Sequence, residues 1–222
     1  MLETLEVDSV QRRKRKPVFD PDSGERHLAI LKSGWAVSRS TTPSGQSTIT
    51  QIYMAGDMIG LSDLAFAQPP HSVFMQTDGA ISLVPRARLL AITRDHPRLL
   101  VGLLSLASLS DAALHDRLHA VSRLSAEDRL IHFILSIKSR AGQLSEQMSD
   151  RFPMFLSQKD IGDALGLTDI YVNRLLRRLV ERGELAIDRP YLRIADRKAW
   201  ERRVNFTDRY SAIDPGWLDL AS

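Results

Sequence analysis

The chain has 222 residues, of which 43% are hydrophobic and 26% charged, and a formal net charge of +3. That is room for two modest domains with cores of ordinary globular composition. With no cysteine anywhere, disulfides, thiol redox chemistry, cysteine-ligated iron–sulfur clusters and the usual structural zinc sites are excluded.

No window approaches the roughly 18 uninterrupted apolar residues of a membrane span. The amino terminus carries Glu3, Glu6 and Asp8 before it turns basic, unlike a secretory leader. A cytoplasmic protein without a membrane partner is therefore expected. The charge is uneven. Residues 17–150 hold twelve Lys/Arg against thirteen Asp/Glu, whereas residues 151–204 hold twelve against eight. A basic face confined to one small domain is the footprint of a nucleic-acid partner.

From about Val18 to Val84, short β-segments alternate with turn chemistry. The expected strands are His27–Leu31, Trp35–Arg39, Thr48–Met54, Val73–Thr77 and Ala80–Val84. Between them lie Ser33-Gly34, Pro43-Ser44-Gly45, Gly56-Asp57 and Asp78-Gly79, which suggests a β-sandwich or roll. From Pro97 the period becomes helical: Leu100, Leu103, Leu104, Ala107, Leu114, Leu118 and Val121 recur over about 25 residues. So long a helix suits a seam with a second chain better than packing on one small domain.

Ser125-Ala126-Glu127-Asp128 resembles a capping box and predicts a helix from Ala126 to about Lys138. Residues 141–152 read as a connection. A helix beginning at Ser157 and another from near Thr168 to about Arg182, ended by Gly183, precede a small hairpin of Leu185–Ile187 and Tyr191–Ile194. That order describes a winged helix.

The segment Leu156 to Leu176 carries the functional signal. Gly162 lets a second helix cross closely, and Gly166 supplies the positive φ of a tight turn. Leu167 fills the corner and Thr168 caps the second helix. Ile161, Leu165, Val172 and Leu176 face inward, which leaves Asp169, Tyr171, Asn173, Arg174 and Arg177 able to face a DNA major groove. Arg174 is the expected base contact, and Asn173 reads adenine or binds phosphate. Ser157, Gln158 and Lys159 are expected to hold phosphates and set register.

The chain resembles the Crp/Fnr family, the cyclic-AMP receptor protein and fumarate–nitrate regulator group, over roughly His27 to Asp196. The resemblance rests on Leu31–Gly34, Gly56-Asp57-Met58-Ile59-Gly60, His96-Pro97, Ser125–Arg129, the helix-turn-helix and Ile194-Ala195-Asp196. Within the family it is most similar to a Gly-Leu-Thr…Val-Asn-Arg subgroup, matched by residues 166–168 and 172–174. What this implies is an α+β chain: a cyclic-nucleotide-binding-like β-roll (1–96), a dimerisation helix (97–124), a winged helix-turn-helix (125–204) and a tail (205–222). It also implies a homodimer on a palindromic operator of double-stranded DNA, RNA polymerase as a further partner, and no enzymatic activity.

Two departures from the family pattern matter. Members that bind cyclic AMP carry a Gly-Glu-Leu and an Arg-Ser/Thr pair where this chain has Gly60-Leu61-Ser62 and Pro70-His71-Ser72. An anionic phosphate buried without a cation is costly, so cyclic-AMP control is not expected. Gly60, Leu61, His71 and Ser72 remain the candidate positions for an unknown small effector. Ile170 stands where several relatives have a glutamate that accepts from cytosine, so half-site preference should differ.

The remaining signals read more simply as structure. Arg12–Lys16 is expected to be a solvated tail or the wet face of a first strand, rather than a nucleic-acid arm. His115 and His119 are spaced i, i+4 but lack further ligands, so no metal or cofactor is expected. His71 reads as a hydrogen-bonded loop residue and Trp35 as core. A different functional class is an intracellular ligand sensor whose winged helix contacts a protein, and salt dependence separates it from a DNA binder.

Overall fold

The computed structural model describes residues 9–19, 27–66, 69–144 and 151–212. These divide into two compact units, the first ending at Ser108 and the second beginning at Leu109.

The first unit contains β1 (Ser9–Arg12), β2 (His27–Ser33), β3 (Ala36–Thr41), β4 (Ser47–Tyr53) and β5 (Met58–Ile59). A 3-10 turn at Leu61–Asp63 precedes β6 (Ser72–Met75), β7 (Gly79–Pro85), helix α1 (Arg86–Asp95) and the start of α2 (Pro97–Arg123). The strands form two antiparallel sheets, in the orders β1-β7-β2-β5 and β4-β3-β6.

The apolar run of β2 explains how the layers stack. Ala29 and Leu31 point between the sheets, onto Ala36, Tyr53, Ile59, Val73, Met75 and Ile81. Leu28 and Ile30 point the other way, onto Val84, Leu89, Leu99 and Leu103 of β7, α1 and α2. A strand buried on both faces is apolar without alternation, and burying each such leucine or isoleucine contributes about 1.5–3 kcal/mol. Trp35 is 4% exposed, in the core as its sequence setting suggests. At the neighbouring turn Gly34 has φ +84°, and a Cβ there would lie 2.5 Å from the Asp78 carbonyl oxygen.

In this unit β5 and α1 were not anticipated, and of the two readings of the basic run the first strand is the one that forms. Arg12 ends β1, which pairs with β7, and Arg13–Lys16 are exposed beyond it. The amide of Lys14 donates to Asp78 Oδ1 at 2.7 Å and that of Arg15 to the Met75 carbonyl at 2.8 Å. The basic run is thus the wet end of a first strand.

The second unit contains the remainder of α2, then α3 (Ala126–Leu144), β8 (Phe152–Pro153), α4 (Gln158–Leu165), α5 (Asp169–Glu181), β9 (Leu185–Asp188), β10 (Tyr191–Ile194) and α6 (Arg197–Val204). The three strands order as β8-β10-β9. Helix α3 is the central post: Leu130, Ile131, Phe133, Ile134, Leu135 and Ile137 are all at most 3% exposed. It runs to Leu144, about six residues beyond the expected end near Lys138. Gly142 in its last turn weakens a helix without breaking it, so the supposed connection begins later than predicted; residues 145–150 lie outside the described residues.

After α6, residues 206–209 fold back along this post. The Phe206 ring meets His132 edge-on at 5.2 Å, and Asp208 pairs with Arg197 at 2.8 Å and with the Ser139 hydroxyl. Arg209 forks onto Asp116 of α2 at 2.7 and 2.9 Å.

Helix α2 is unusual in how little of it is covered. Leu100, Leu104, Leu106, Leu114 and Leu118 are 46–61% exposed. Among the described residues it is the one helix long and apolar enough to cross a membrane, with 11% of its most apolar window buried. The sequence reading, which sought an uninterrupted apolar run, excluded such a span; by length and overall composition α2 qualifies.

Candidate nucleic-acid interface

The interface is built from the start of α4 upward. Ser157 closes a full capping box: its hydroxyl accepts from the Asp160 amide at 3.1 Å, while Asp160 accepts from the Ser157 amide at 2.9 Å. The Ser157 hydroxyl also donates to Asp160 Oδ2 at 2.7 Å. Both polar groups of Ser157 are thereby engaged, and what it offers an anion is the helix terminus rather than a hydroxyl.

Gly166 takes φ +66° at the end of α4, as the tight turn requires. The need for glycine at 162 is steric. A Cβ there would lie 2.5 Å from the carbonyl oxygen of Leu167, in the turn itself rather than on the second helix. Thr168 caps α5 by accepting from the Tyr171 amide at 3.2 Å. Ile161, Leu165, Val172 and Leu176 are buried, so the inner faces lie as predicted.

On the outer face, Asp169, Arg174 and Arg177 are exposed, and Tyr171 and Asn173 are half-buried. The Arg174 guanidinium lies 4.5 Å from the centre of the Tyr171 ring, a cation–π contact that presents it in a defined orientation. Gln158 Nε2 donates to Asn173 Oδ1 at 3.2 Å and ties the two helices. Lys159 reaches Asp163 at 3.3 Å but is 71% exposed. Such pairs contribute little, about 0–1 kcal/mol, and yield readily to a stronger anion.

Beside these residues runs a groove of about 820 Å³, lined by Phe155, Lys159, Asn173, Arg177, Arg189 and Tyr191 among others. Arg189 stands exposed between β9 and β10, at the tip of the wing. The sequence reading passed over it, although Asp188-Arg189-Pro190 marks a cation on a hairpin turn.

The end of α5 is locked electrostatically. Arg182 pairs with Glu127 at 2.8 Å and Glu184 at 2.6 Å, and Arg203 with Glu127 and Asp128, both at 2.7 Å. Trp200 adds a hydrogen bond to Glu184 at 3.0 Å. Burial raises the Glu127 carboxyl, but the Arg182 and Arg203 guanidiniums outweigh it and hold it below its ordinary 4.5. The hydrogen bond from Arg182 does the same for Glu184. On α3, burial holds His132 below its ordinary 6.5, against the opposing charge of Asp116.

The positions considered for an effector lie in the first unit. Gly60 has φ +91°, and Leu61 packs against the cluster around Leu89. Leu61 stands in the place of the family's acid; Ser62 beside it donates to Asp63 Oδ1 at 3.2 Å, while His71 and Ser72 are exposed. His115 pairs with Asp111 at 3.5 Å, and among the described residues no three ligating side chains cluster.

A winged helix-turn-helix with a cationic outer face, following a β-roll and a long helix, defines a DNA-binding transcription regulator. Residues 128–203 match the Crp-like helix-turn-helix domain and residues 10–96 the cyclic nucleotide-binding domain. The chain belongs to the Crp/Fnr family of transcription regulators. It is 26% identical to the fumarate and nitrate reduction regulatory protein of Escherichia coli strain K12 over 207 residues, 91% of this chain and 82% of that one. In fold it is similar to FixK2 from Bradyrhizobium japonicum (TM-score 0.76, 20% identity, covering 88% of this chain and 96% of that one). It is also similar to TTHB099, a CRP-family transcriptional regulator from Thermus thermophilus (TM-score 0.70, 15% identity, covering 90% and 99%).

Acidification should unlock this platform in two stages. A group whose folded pKa is depressed contributes stability that is present above its unfolded pKa and lost as pH falls. His132 therefore begins the loss below about 6.5 and the glutamates continue it below about 4.5. Urea midpoints followed by helix circular dichroism from pH 8 to pH 3.5 should show both. His132→Gln should remove the first stage. Glu127→Gln should flatten the second and lower the neutral plateau by about 0.2–1 kcal/mol, the range for exposed pairs. A midpoint independent of pH down to 3.5 would contradict this account.

Proposed function

We propose that this regulator binds an inverted-repeat operator as a homodimer joined along α2, sets α5 into successive major grooves, and is not controlled by cyclic AMP. The observation that carries the reading is the outer face of α5. Arg174, stacked on Tyr171, and Arg177 project from a helix whose start, end and inner face are all fixed by contacts within its own unit. Arg174 meets base edges, and its fork matches guanine. Lys159, Gln158 and the α4 terminus that Ser157 caps hold phosphates, with Arg189 of the wing. Thr168, Asp169, Tyr171 and Asn173 complete the contact surface.

A cytoplasmic site of action and contact with RNA polymerase follow from this role. Any effector would lie near Gly60, Leu61, His71 and Ser72 of the roll. The domain limits proposed remain 1–96, 97–124, 125–204 and 205–222. A second reading, a winged helix that docks on protein, finds support in Phe155, Val180 and Ile187, which are 37–41% exposed in or beside the same groove.

DNA binding by counterion release falls steeply with salt, and apolar docking does not. The half-sites should lie about 10 base pairs apart, or a multiple of that, centre to centre. Selection from a randomised operator library should show that Arg174→Ala relaxes preference at one base position and costs about 1–3 kcal/mol per half-site. Lys159→Ala should weaken all sequences alike and flatten the salt slope. The same motif at the same stringency from wild type and Arg174→Ala would make Arg174 a phosphate clamp.

For the dimer, the covered partner of α2 is taken to be a second α2. The helix carries Asp111, Asp116 and Arg117 along its length, and Asp116 is held by Arg209. Those charges suit a wet-edged helical seam better than a bilayer. Replacing Leu114 and Leu118 by glutamate places like charges across the seam, and light scattering should then report monomers. Dimers persisting in that variant would move the seam elsewhere.

Calorimetry with cyclic AMP should show no saturable binding, because the acid that holds its ribose is replaced by Leu61 and the arginine that holds its phosphate is missing from residues 70–72. Saturable binding at micromolar nucleotide would overturn that part of the reading.

A further inference from the structure

We propose that Ile170 reads the 5-methyl group of a thymine in each half-site, so that the first turn of α5 selects thymine by apolar contact rather than by a hydrogen bond. This rests on the reading of α5 as the helix that enters the major groove.

At 78%, Ile170 is the most exposed large apolar side chain among the described residues. It lies on the face opposite Val172, Leu175, Leu176 and Leu179, which are buried in the unit's core. With Arg174 and Arg177 it forms an i, i+4, i+7 stripe, so the side chain stands in line with the cations that approach the bases.

Two polar groups beside it are engaged in capping the helix. Thr168 accepts from the Tyr171 amide at 3.2 Å, and Asp169 Oδ1 accepts from the amide of Ile170 itself at 2.9 Å. Ile170 itself protrudes as a branched hydrocarbon with no hydrogen-bonding atom.

Such a surface discriminates in two ways. In the major groove the apolar feature of a base edge is the thymine methyl, whereas cytosine and adenine present exocyclic amines. An amine pressed against Ile170 would lose water and gain no acceptor, which penalises it. A methyl pressed there removes apolar surface of both partners from water. Arg174, one turn on, lies about 6 Å along the helix, so the thymine should fall within about two base steps of the guanine it contacts.

The experiment replaces each thymine of the selected operator in turn by uracil, which removes only the methyl, and measures binding by fluorescence anisotropy. At one position the wild type should weaken about fourfold per half-site, and about fifteenfold when both half-sites are changed. Ile170→Ala should bind thymine and uracil operators alike, while Ile170→Val, which keeps the branched methyls, should retain most of the preference. Position 170 is solvent-facing and alanine favours helix, so neither variant threatens the fold.

The assignment is overturned if no single uracil weakens the wild type by more than about twofold, or if Ile170→Ala keeps the same dependence on the methyl. Failure to select any operator would overturn both this assignment and the groove reading. An operator selected normally but indifferent to uracil overturns the thymine assignment alone.

Discussion

The second unit depends on one close approach. Where the chain turns from α4 into α5, the backbone of Leu167 passes over Gly162, with the Leu167 amide donating to the Gly162 carbonyl at 3.0 Å. Its own carbonyl oxygen occupies the space a Cβ would need. That contact sets where α5 leaves the turn. The caps at Ser157 and Thr168, and the burial of Val172 and Leu176, then leave Arg174 a single direction in which to project. At the far end of α5, Glu127 takes two arginines from different elements and prevents the helix from swinging about the turn.

The charge pattern has a consistent logic. The basic excess of the second unit is not spread evenly over its surface. Arg182, Arg197, Arg203 and Arg209 are held in ion pairs within the unit, and serve architecture. Arg174, Arg177 and Arg189 face solvent on the side of α5 and the wing, and remain for a partner. The modest net charge therefore understates the field at the face proposed to meet DNA.

The parts of this arrangement that are local in sequence were legible there. The helix-turn-helix announces itself because glycine, corner leucine, cap and inward residues lie within about twenty positions, each with its own steric reason. The long helix and the main strands followed from period and turn residues. What escaped notice is held by distant partners. Strand β1 was legible only as an alternative to a solvated tail, because its partner β7 lies some seventy residues away. Helix α1 exists because Leu89 covers Leu28 and Ile30 of β2. The clasp of the tail joins Ser139 to Asp208 and Asp116 to Arg209, pairings that no local pattern announces. Conversely, the capping role of the Ser157 hydroxyl was hidden by its position at a helix start, where serine serves caps and anions alike.

The uncovered leucines of α2 carry a consequence beyond assembly. A chain that engages its operator only as a pair fills it in proportion to the square of its abundance while pairs are scarce. A twofold rise in synthesis then gives close to fourfold occupancy, whereas a chain that acted alone would answer in simple proportion. With α2 as the proposed seam, the bare helix would convert a gradual change in protein level into something nearer a threshold.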